Sequence, residues 1–287
     1  MIILTCIYSL SLFYTIVGIN NSYNIKIKKI TVPIKNLPSA WEGKTIVQLS
    51  DLHIGGLRDK DFLQKIIKKV NDLNANVIAI TGDLFDGATQ GHERFIEDLK
   101  TLKAKKTVLF VTGNHEVYSG QDKATITIEK SNIFLLDDKI LNIDGLQFIG
   151  IGYPNADASA ELFDFASSSD FNSKVPSILL FHTPTDVGQK GTDSSKTPSK
   201  AYFAPETNFE TAIKTGISLQ LSGHTHAGQF IPYTWIAKKI FSDFHYGLHK
   251  ISNFYIYISS GTGTWGPPVR TGSDSEIPII ILRRAEN

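Results

Sequence analysis

The sequence predicts an α/β fold with a strand-rich second half behind an apolar N-terminal segment, and three observations carry that prediction. Short apolar runs alternate with segments of helical period between residues 45 and 111. Later apolar runs succeed one another with turn signals and fewer helices between them. The bulk composition fits a packed core: 41% of the 287 residues are hydrophobic and 20% are charged, which excludes disorder and collagen-like repeats.

Taken in order, the first 25 residues contain no charged side chain, and residues 2–19 form a strongly apolar run of 18. That length is near the minimum for a transmembrane helix. A spanning anchor, a signal peptide and a buried helix all compete for it, although a basic n-region and an A-x-A cleavage site are both missing. Lys26, Lys28 and Lys29 come directly after the run and favour a cytoplasmic domain by the positive-inside rule. NIKIKKITV also alternates like a strand with its lysines in water, so the side of the membrane stays open.

TIVQLS then reads as a strand, and Phe62, Leu63, Ile66, Ile67, Val70 and Leu73 recur at helical spacing. The unit repeats with VIAIT, a helix carrying Phe95, Ile96, Leu99 and Leu102, and TVLFV. Strands joined by crossover helices imply parallel pairing in this half. LQFIGIG, SILLFH, ISLQLSGH, FYIYISSG and IPIIIL supply the later strands, while residues 156–174 and 183–205 read as long surface loops. There is no internal repeat. Charge is balanced, with 29 basic against 28 acidic residues, so no global field attracts nucleic acid and no nucleic-acid partner is expected. A single cysteine, Cys6, excludes an intrachain disulfide and any CxxC metal site.

Ligands of open α/β sheets bind at strand carboxyl ends. The residues at those ends are chemically uniform here: Asp51 and His53, Asp83, Asn114 and His115, His182, then His224 and His226. Residues i and i+2 of an extended segment point the same way, so Asp51 with His53, and His224 with His226, are expected to converge in pairs. Asp83, Asn114 and His182 complete a shell of seven oxygen and imidazole donors. One tetrahedral zinc ion cannot use seven, whereas two divalent ions sharing a carboxylate use them all. Mixed carboxylate, amide and imidazole donors suit Mn, Fe or Zn. Each piece has a plainer reading: DLH as a helix cap, GD and GN as turns, His182 as a satisfied core histidine. Coincidence favours the donor reading, since five of the eight histidines fall at these strand ends. His92, His245 and His249 read as exposed or incidental, and Glu116 as a solvated turn residue.

DLHIG, GDLFDG, GNHE, His182 and GHTHAGQ, in this order, resemble the calcineurin-like metallophosphoesterase superfamily. The ending GTGTWGPPVRTGSDSEIPIIIL resembles its membrane-anchored bacterial branch. The resemblance implies a four-layer α-β-β-α sandwich of two mixed sheets. It implies two divalent metal ions, with Asp51, His53 and His226 on one, Asn114, His182 and His224 on the other, and Asp83 bridging. It also implies that His115 donates to the phosphoryl or leaving-group oxygen, oriented by Asp86. The expected layout is an anchor or signal-like segment over 1–24 and a catalytic domain over 25–287, held at the cell membrane by a single N-terminal span through residues 2–19.

The implied function is dinuclear phosphoesterase chemistry through a metal-bridging hydroxide, with phosphodiesters slightly preferred over phosphomonoesters. Such esters resist attack because their oxygens repel a nucleophile, and two cations counter both that repulsion and the weakness of water. The expected partner is a phosphate ester, lipid-linked or envelope-derived esters being among the candidates. The alternative is a non-catalytic metal-binding scaffold of the same fold. Ala227 stands where a glycine is common in the GHTHGGQ pattern, and residues 261–272, with Trp265 and Arg270, read equally as cleft wall or as a plain connection.

Overall fold

The computed structural model describes residues 2–88, 91–153, 168, 170–187 and 205–286; most of the expected loops at 156–174 and 183–205 lie outside the described residues. The apolar N-terminal run forms one helix, α1 (Ile2–Tyr23), long and apolar enough to cross a membrane. Residues 2–17 are exposed, which removes the buried-helix reading: only Gly18 and Ser22 of this helix are buried.

Two six-stranded sheets come next. The first comprises β1 (Lys26–Ile34), β2 (Thr45–Leu49), β3 (Val77–Thr81), β4 (Thr107–Val111), β5 (Phe134–Leu135) and β12 (Glu276–Arg284). Its order is β1-β12-β2-β3-β4-β5, with β2 to β5 parallel as expected and β12 antiparallel to β2. The second comprises β6 (Lys139–Ile143), β7 (Leu146–Ile151), β8 (Ser177–Phe181), β9 (Leu219–Ser222), β10 (Gly247–Ile251) and β11 (Phe254–Ile258). Its order is β10-β11-β9-β8-β7-β6, parallel from β11 to β7 and antiparallel at both edges.

The alternating side chains of the two sheets meet face to face. Val32, Ile46, Val77 and Leu109 from the first pack with Phe148, Ile178, Leu180 and Leu219 from the second, all buried. Burying each such side chain stabilises the sandwich by roughly 1.5–3 kcal/mol. Trp41, ahead of β2, is sealed in the same layer and donates its Nε1–H to the Ile143 carbonyl at 2.8 Å, tying one sheet to the other. On the outer face of the first sheet lie α2 (Lys60–Asp72), α3 (Ile96–Leu99) and α5 (Gln121–Lys130). Against the outer face of the second packs α6 (Glu210–Thr215). The result is the four-layer α-β-β-α arrangement with mixed sheets.

Helix α2 buries Phe62, Leu63, Ile66, Ile67 and Val70, the stripe that its spacing predicts. The second crossover is shorter than expected. A 3-10 turn (His92–Phe95) leads into the single turn of α3, and the chain leaves the helix before Leu102. The Thr101 hydroxyl donates to the Asp98 carbonyl at 2.6 Å and the Thr101 amide bonds the same oxygen, so local side-chain bonding competes with further helix. Strand NIKIKKITV is β1, and its lysines do not all face water: Lys28 is half-buried and pairs with the buried Glu276 at 3.2 Å.

Candidate metal centre

Parallel β2, β3 and β4 end on the same edge as parallel β8 and β9, so both sheets deliver their next residues to one crevice. Asp51 and His53 come after β2, Asp83 after β3, Asn114 opens α4 (Asn114–Ser119) after β4, His182 comes after β8, and His224 and His226 after β9. All seven expected donors come together there, none more than 9% exposed.

The physical reason for their convergence differs from simple strand alternation. Asp51, His53, Asp83, His224 and His226 have φ of 54°, 48°, 52°, 72° and 50°, so the chain turns through a left-handed conformation at five donors. Such backbone costs about 1–3 kcal/mol per residue and persists only where the surroundings hold it. Inter-loop hydrogen bonds do so: the Asp51 amide donates to Gly82 O at 3.1 Å, the His53 amide to Asp83 O at 3.1 Å, and the His224 amide to the Asp51 carboxylate at 3.1 Å. The loops approach so closely that a Cβ at Gly223 would overlap Ser50 Oγ and Asp51 Oδ2, and one at Gly113 would overlap Asp83.

The donors form two adjoining clusters. In the first, His53 Nε2 lies 3.1 Å from His226 Nε2, and His226 Nε2 lies 3.3 Å from Asp51 Oδ1. In the second, Asn114 Oδ1 sits 3.1 Å from His182 Nε2 and 2.9 Å from His224 Nδ1. Asp83 Oδ2 stands between them, 3.8 Å from His53 Nε2 and 3.2 Å from His182 Nε2. His182 Nδ1 faces the Thr81 carbonyl at 2.8 Å, so Nδ1 carries a proton and Nε2 is turned to the cluster.

Burial lowers the pKa of His53 and of His224 to about 3, and that of His226 well below its ordinary value. These rings are therefore neutral, and each can offer one ring-nitrogen lone pair. Asp51, His53 and His226, and Asp83, His182 and His224, each bring ligand atoms close enough to share one ion in a dry crevice, so the residues present fit divalent metal ions. Burial pushes the Asp51 carboxyl up to about 6, whereas the His182 charge and hydrogen bond hold Asp83 below the usual carboxylate range despite burial.

His115 sits beside Asn114 at the crevice mouth, its ring 4.5 Å from that of His53. Gly87 donates its N–H to His115 Nδ1 at 2.9 Å, which makes Nδ1 the acceptor and leaves the proton on Nε2. Asp86 Oδ1 lies 3.6 Å from the same nitrogen, beyond hydrogen-bonding range, so in this geometry the amide orients the ring and the carboxylate acts through its field. Burial opposes a charge on His115, but Asp86, Asp83 and Glu116 together raise its pKa. The Gly87 contact fixes the neutral tautomer against that pull.

Two residues outside the expected donor set hold the site in place, Glu116, which the sequence reading placed in solvent, and Arg270, for which it left two readings open. Glu116 is fully buried, not a solvated turn residue. Its Oε2 accepts the Asp83 and Gly113 amides at 2.9 and 2.7 Å, and its Oε1 the Phe85 amide at 3.0 Å. Burial and the Asp83 charge push this carboxyl up to about 7. A signal was available, since a Glu three residues after a helix N-cap is the capping-box position. Arg270 is equally buried: its guanidinium donates to Ser260 O at 2.6 Å, to Gly263 O at 2.8 Å and to Ser273 Oγ at 2.7 Å, with an Nη 3.4 Å from His226 Nδ1. Residues 261–272 are thus a wall of the site. His92 is buried and stacks on Phe85 with centroids 4.3 Å apart, while His245 and His249 bond backbone carbonyls away from the clusters.

Two packed α/β sheets whose carboxyl edges pour histidines, carboxylates and an amide into one crevice define a metal-binding hydrolase scaffold. The profile of the calcineurin-like phosphoesterase family matches residues 44–228, and the chain belongs to that family. Among its relatives, a metallophosphoesterase of Campylobacter jejuni is 30% identical over 282 residues, covering 96% of this chain and 68% of that protein. One from Helicobacter pylori is 30% identical over 263 residues, covering 90% and 64%. A transmembrane protein with metallophosphoesterase domain from Danio rerio is 29% identical over 284 residues, covering 93% and 59%. The likeness therefore extends beyond bacteria, and the chain spans about three fifths to two thirds of these relatives' lengths.

Proposed function

We propose that the protein is a membrane-anchored, metal-dependent phosphoesterase with a dinuclear centre, slightly preferring phosphodiesters to phosphomonoesters. In this reading Asp51, His53 and His226 hold one divalent ion, Asn114, His182 and His224 hold the other, and Asp83 is shared. Mn, Fe and Zn all suit the donor set. When bound, the ions supply charge neutralisation at the phosphoryl oxygens and a water-derived nucleophile near neutral pH. The observation that carries the reading is Asp83 Oδ2 standing within 3.8 Å of a donor nitrogen in each cluster.

The chain's own residues do the rest. Seven buried side chains exclude bulk water and fix where the phosphoryl group sits. His115 presents Nε2–H at the mouth and donates to the phosphoryl or departing oxygen; the Gly87 amide sets its tautomer and Asp86 stabilises any charge it acquires. A scaffold without catalysis has no use for that donor. Helix α1 serves as the anchor of a catalytic domain that spans residues 25–287.

The test is metal content of the purified full chain, then turnover of bis-p-nitrophenyl phosphate and p-nitrophenyl phosphate with added Mn²⁺. Two metals per chain with diester turnover are expected. Monoester preference would correct the substrate type, metal without turnover of either ester would favour the scaffold, and no metal under replete conditions would sink the reading.

A further inference from the structure

Helix α1 does not leave the domain at its end. Its last turns are stitched to the wall of the site: Gly18 O accepts the Arg270 amide at 2.8 Å, the Ser22 hydroxyl donates to Pro268 O at 2.8 Å, and Ser22 O accepts from Arg58 at 3.0 Å. Tyr14 also hydrogen-bonds Thr271 through their hydroxyls. Polar residues Asn20, Asn21, Ser22 and Asn24 close the apolar run, so a bilayer crossed by α1 has its headgroup level beside residues 268–275.

The surface next to that level is apolar. From residues 268–272 the contacts continue into α7 (Tyr233–Phe241): the Thr271 and Gly272 amides donate to Gln229 O at 3.2 and 3.1 Å, and Gly272 packs on Thr234 and Ile231. Gln229 in turn brackets Trp265, accepting its amide at 2.9 Å and donating to its carbonyl at 2.9 Å. Around this junction Leu57, Ile231, Tyr233, Trp235, Ile236 and Trp265 are exposed, Trp235 by 68% and Trp265 by 51%. Helix α7 already buries Ala237 and Phe241 inward, with Tyr233 at the exposed start of the same row, so Trp235 and Ile236 form a second, outward apolar face. Exposed Lys238 and Lys239 come next in the helix. Trp and Tyr beside lysines are the residues of a lipid headgroup boundary, where rings bury and ammonium groups meet anionic lipid.

We infer that this aromatic face lies in the headgroup layer of the bilayer that α1 crosses, holding the Arg270 wall of the metal centre beside the membrane. His226 and Arg270 stand on the segments that form the face, so one wall of the metal centre is continuous with it. The inference rests on the anchoring role proposed for α1, but its test needs neither bound metal nor turnover.

The chain has three tryptophans, none of them in α1: Trp41 is sealed in the core, and Trp235 and Trp265 are exposed. The full chain is incorporated into phosphatidylcholine and phosphatidylglycerol vesicles whose acyl chains carry bromine near the headgroup. The expected result is loss of tryptophan emission relative to unbrominated vesicles, and its disappearance in the Trp235→Phe, Trp265→Phe double variant. Equal emission in both vesicle types overturns the proposal, and so does quenching that survives in the double variant, because it then comes from Trp41. Failure of the chain to float with vesicles overturns it together with the anchor. Loss of phosphoesterase activity with quenching intact overturns the proposed function alone.

Discussion

The two walls of the crevice are held by buried side chains of opposite hydrogen-bonding character, an acceptor on one and a donor on the other. On the first-sheet side, the loops carrying Asp83 and Asn114 turn backbone N–H groups inward, and a buried carboxylate, Glu116, accepts three of them. On the second-sheet side, residues 259–274 turn carbonyls inward, and a buried guanidinium, Arg270, donates to them. Each staple answers the polarity of the backbone left unpaired where strands stop. Burial lowers the Arg270 pKa only to about 10, so it remains cationic at neutral pH. The difference has a functional side: Glu116 fixes Asp83, which faces both clusters, whereas Arg270 reaches His226, which belongs to one.

Removing Asp83, which faces both clusters, breaks the comparison most completely. With Asp83→Ala both clusters lose a donor, so metal content should collapse and turnover should fall to background; a fully metallated, active variant overturns the bridging assignment. Next in size is His115→Ala, which removes the donor proposed to face substrate from the first wall. Turnover should fall by about 10²–10⁴ with metal content unchanged, measured on one preparation by mass spectrometry and by kinetics. Loss of metal instead would reassign His115 to the donor set.

Glu116→Ala leaves three buried amides without an acceptor, each costing about 1–3 kcal/mol. A lowered unfolding midpoint in denaturant and weaker binding of both ions are expected. Loss of only one ion would show that the Asp83 loop keeps its place without the carboxylate.

The fold and the convergence of the expected donors were largely legible in the sequence, while the contacts made by Glu116 and Arg270 were not, for a physical reason. A donor has to sit at a strand end, so Asp51, Asp83, His182 and His224 announce themselves by their place after apolar runs. Arg270 acts 44 residues away from His226 and Glu116 acts 31 residues away from Phe85, distances over which no local pattern speaks. The extended-chain argument brought Asp51 and His53 together through the wrong conformation and wrongly paired His224 with His226, which fall in different clusters, because left-handed turns at all four residues are set by contacts between loops. Burial of His92 on Phe85 and the early end of α3 are tertiary and local hydrogen-bond effects of the same kind.

Arg270→Lys is the mildest break and the sharpest. Lysine keeps the charge but replaces a planar fork of five donors with three on a single nitrogen. One ammonium cannot reach Ser260 O, Gly263 O and Ser273 Oγ from the positions that the guanidinium spans, so some carbonyls lose their partner. His226 then loses its support while Asp83 and the second cluster keep theirs. Metal affinity should fall by about 10–100-fold at one site only, giving a biphasic Mn²⁺ titration where the unaltered protein gives tight binding at both. A single weakened phase for both ions would mean that the two walls are mechanically one, and that the opposite polarity of their staples is a matter of local hydrogen bonding alone.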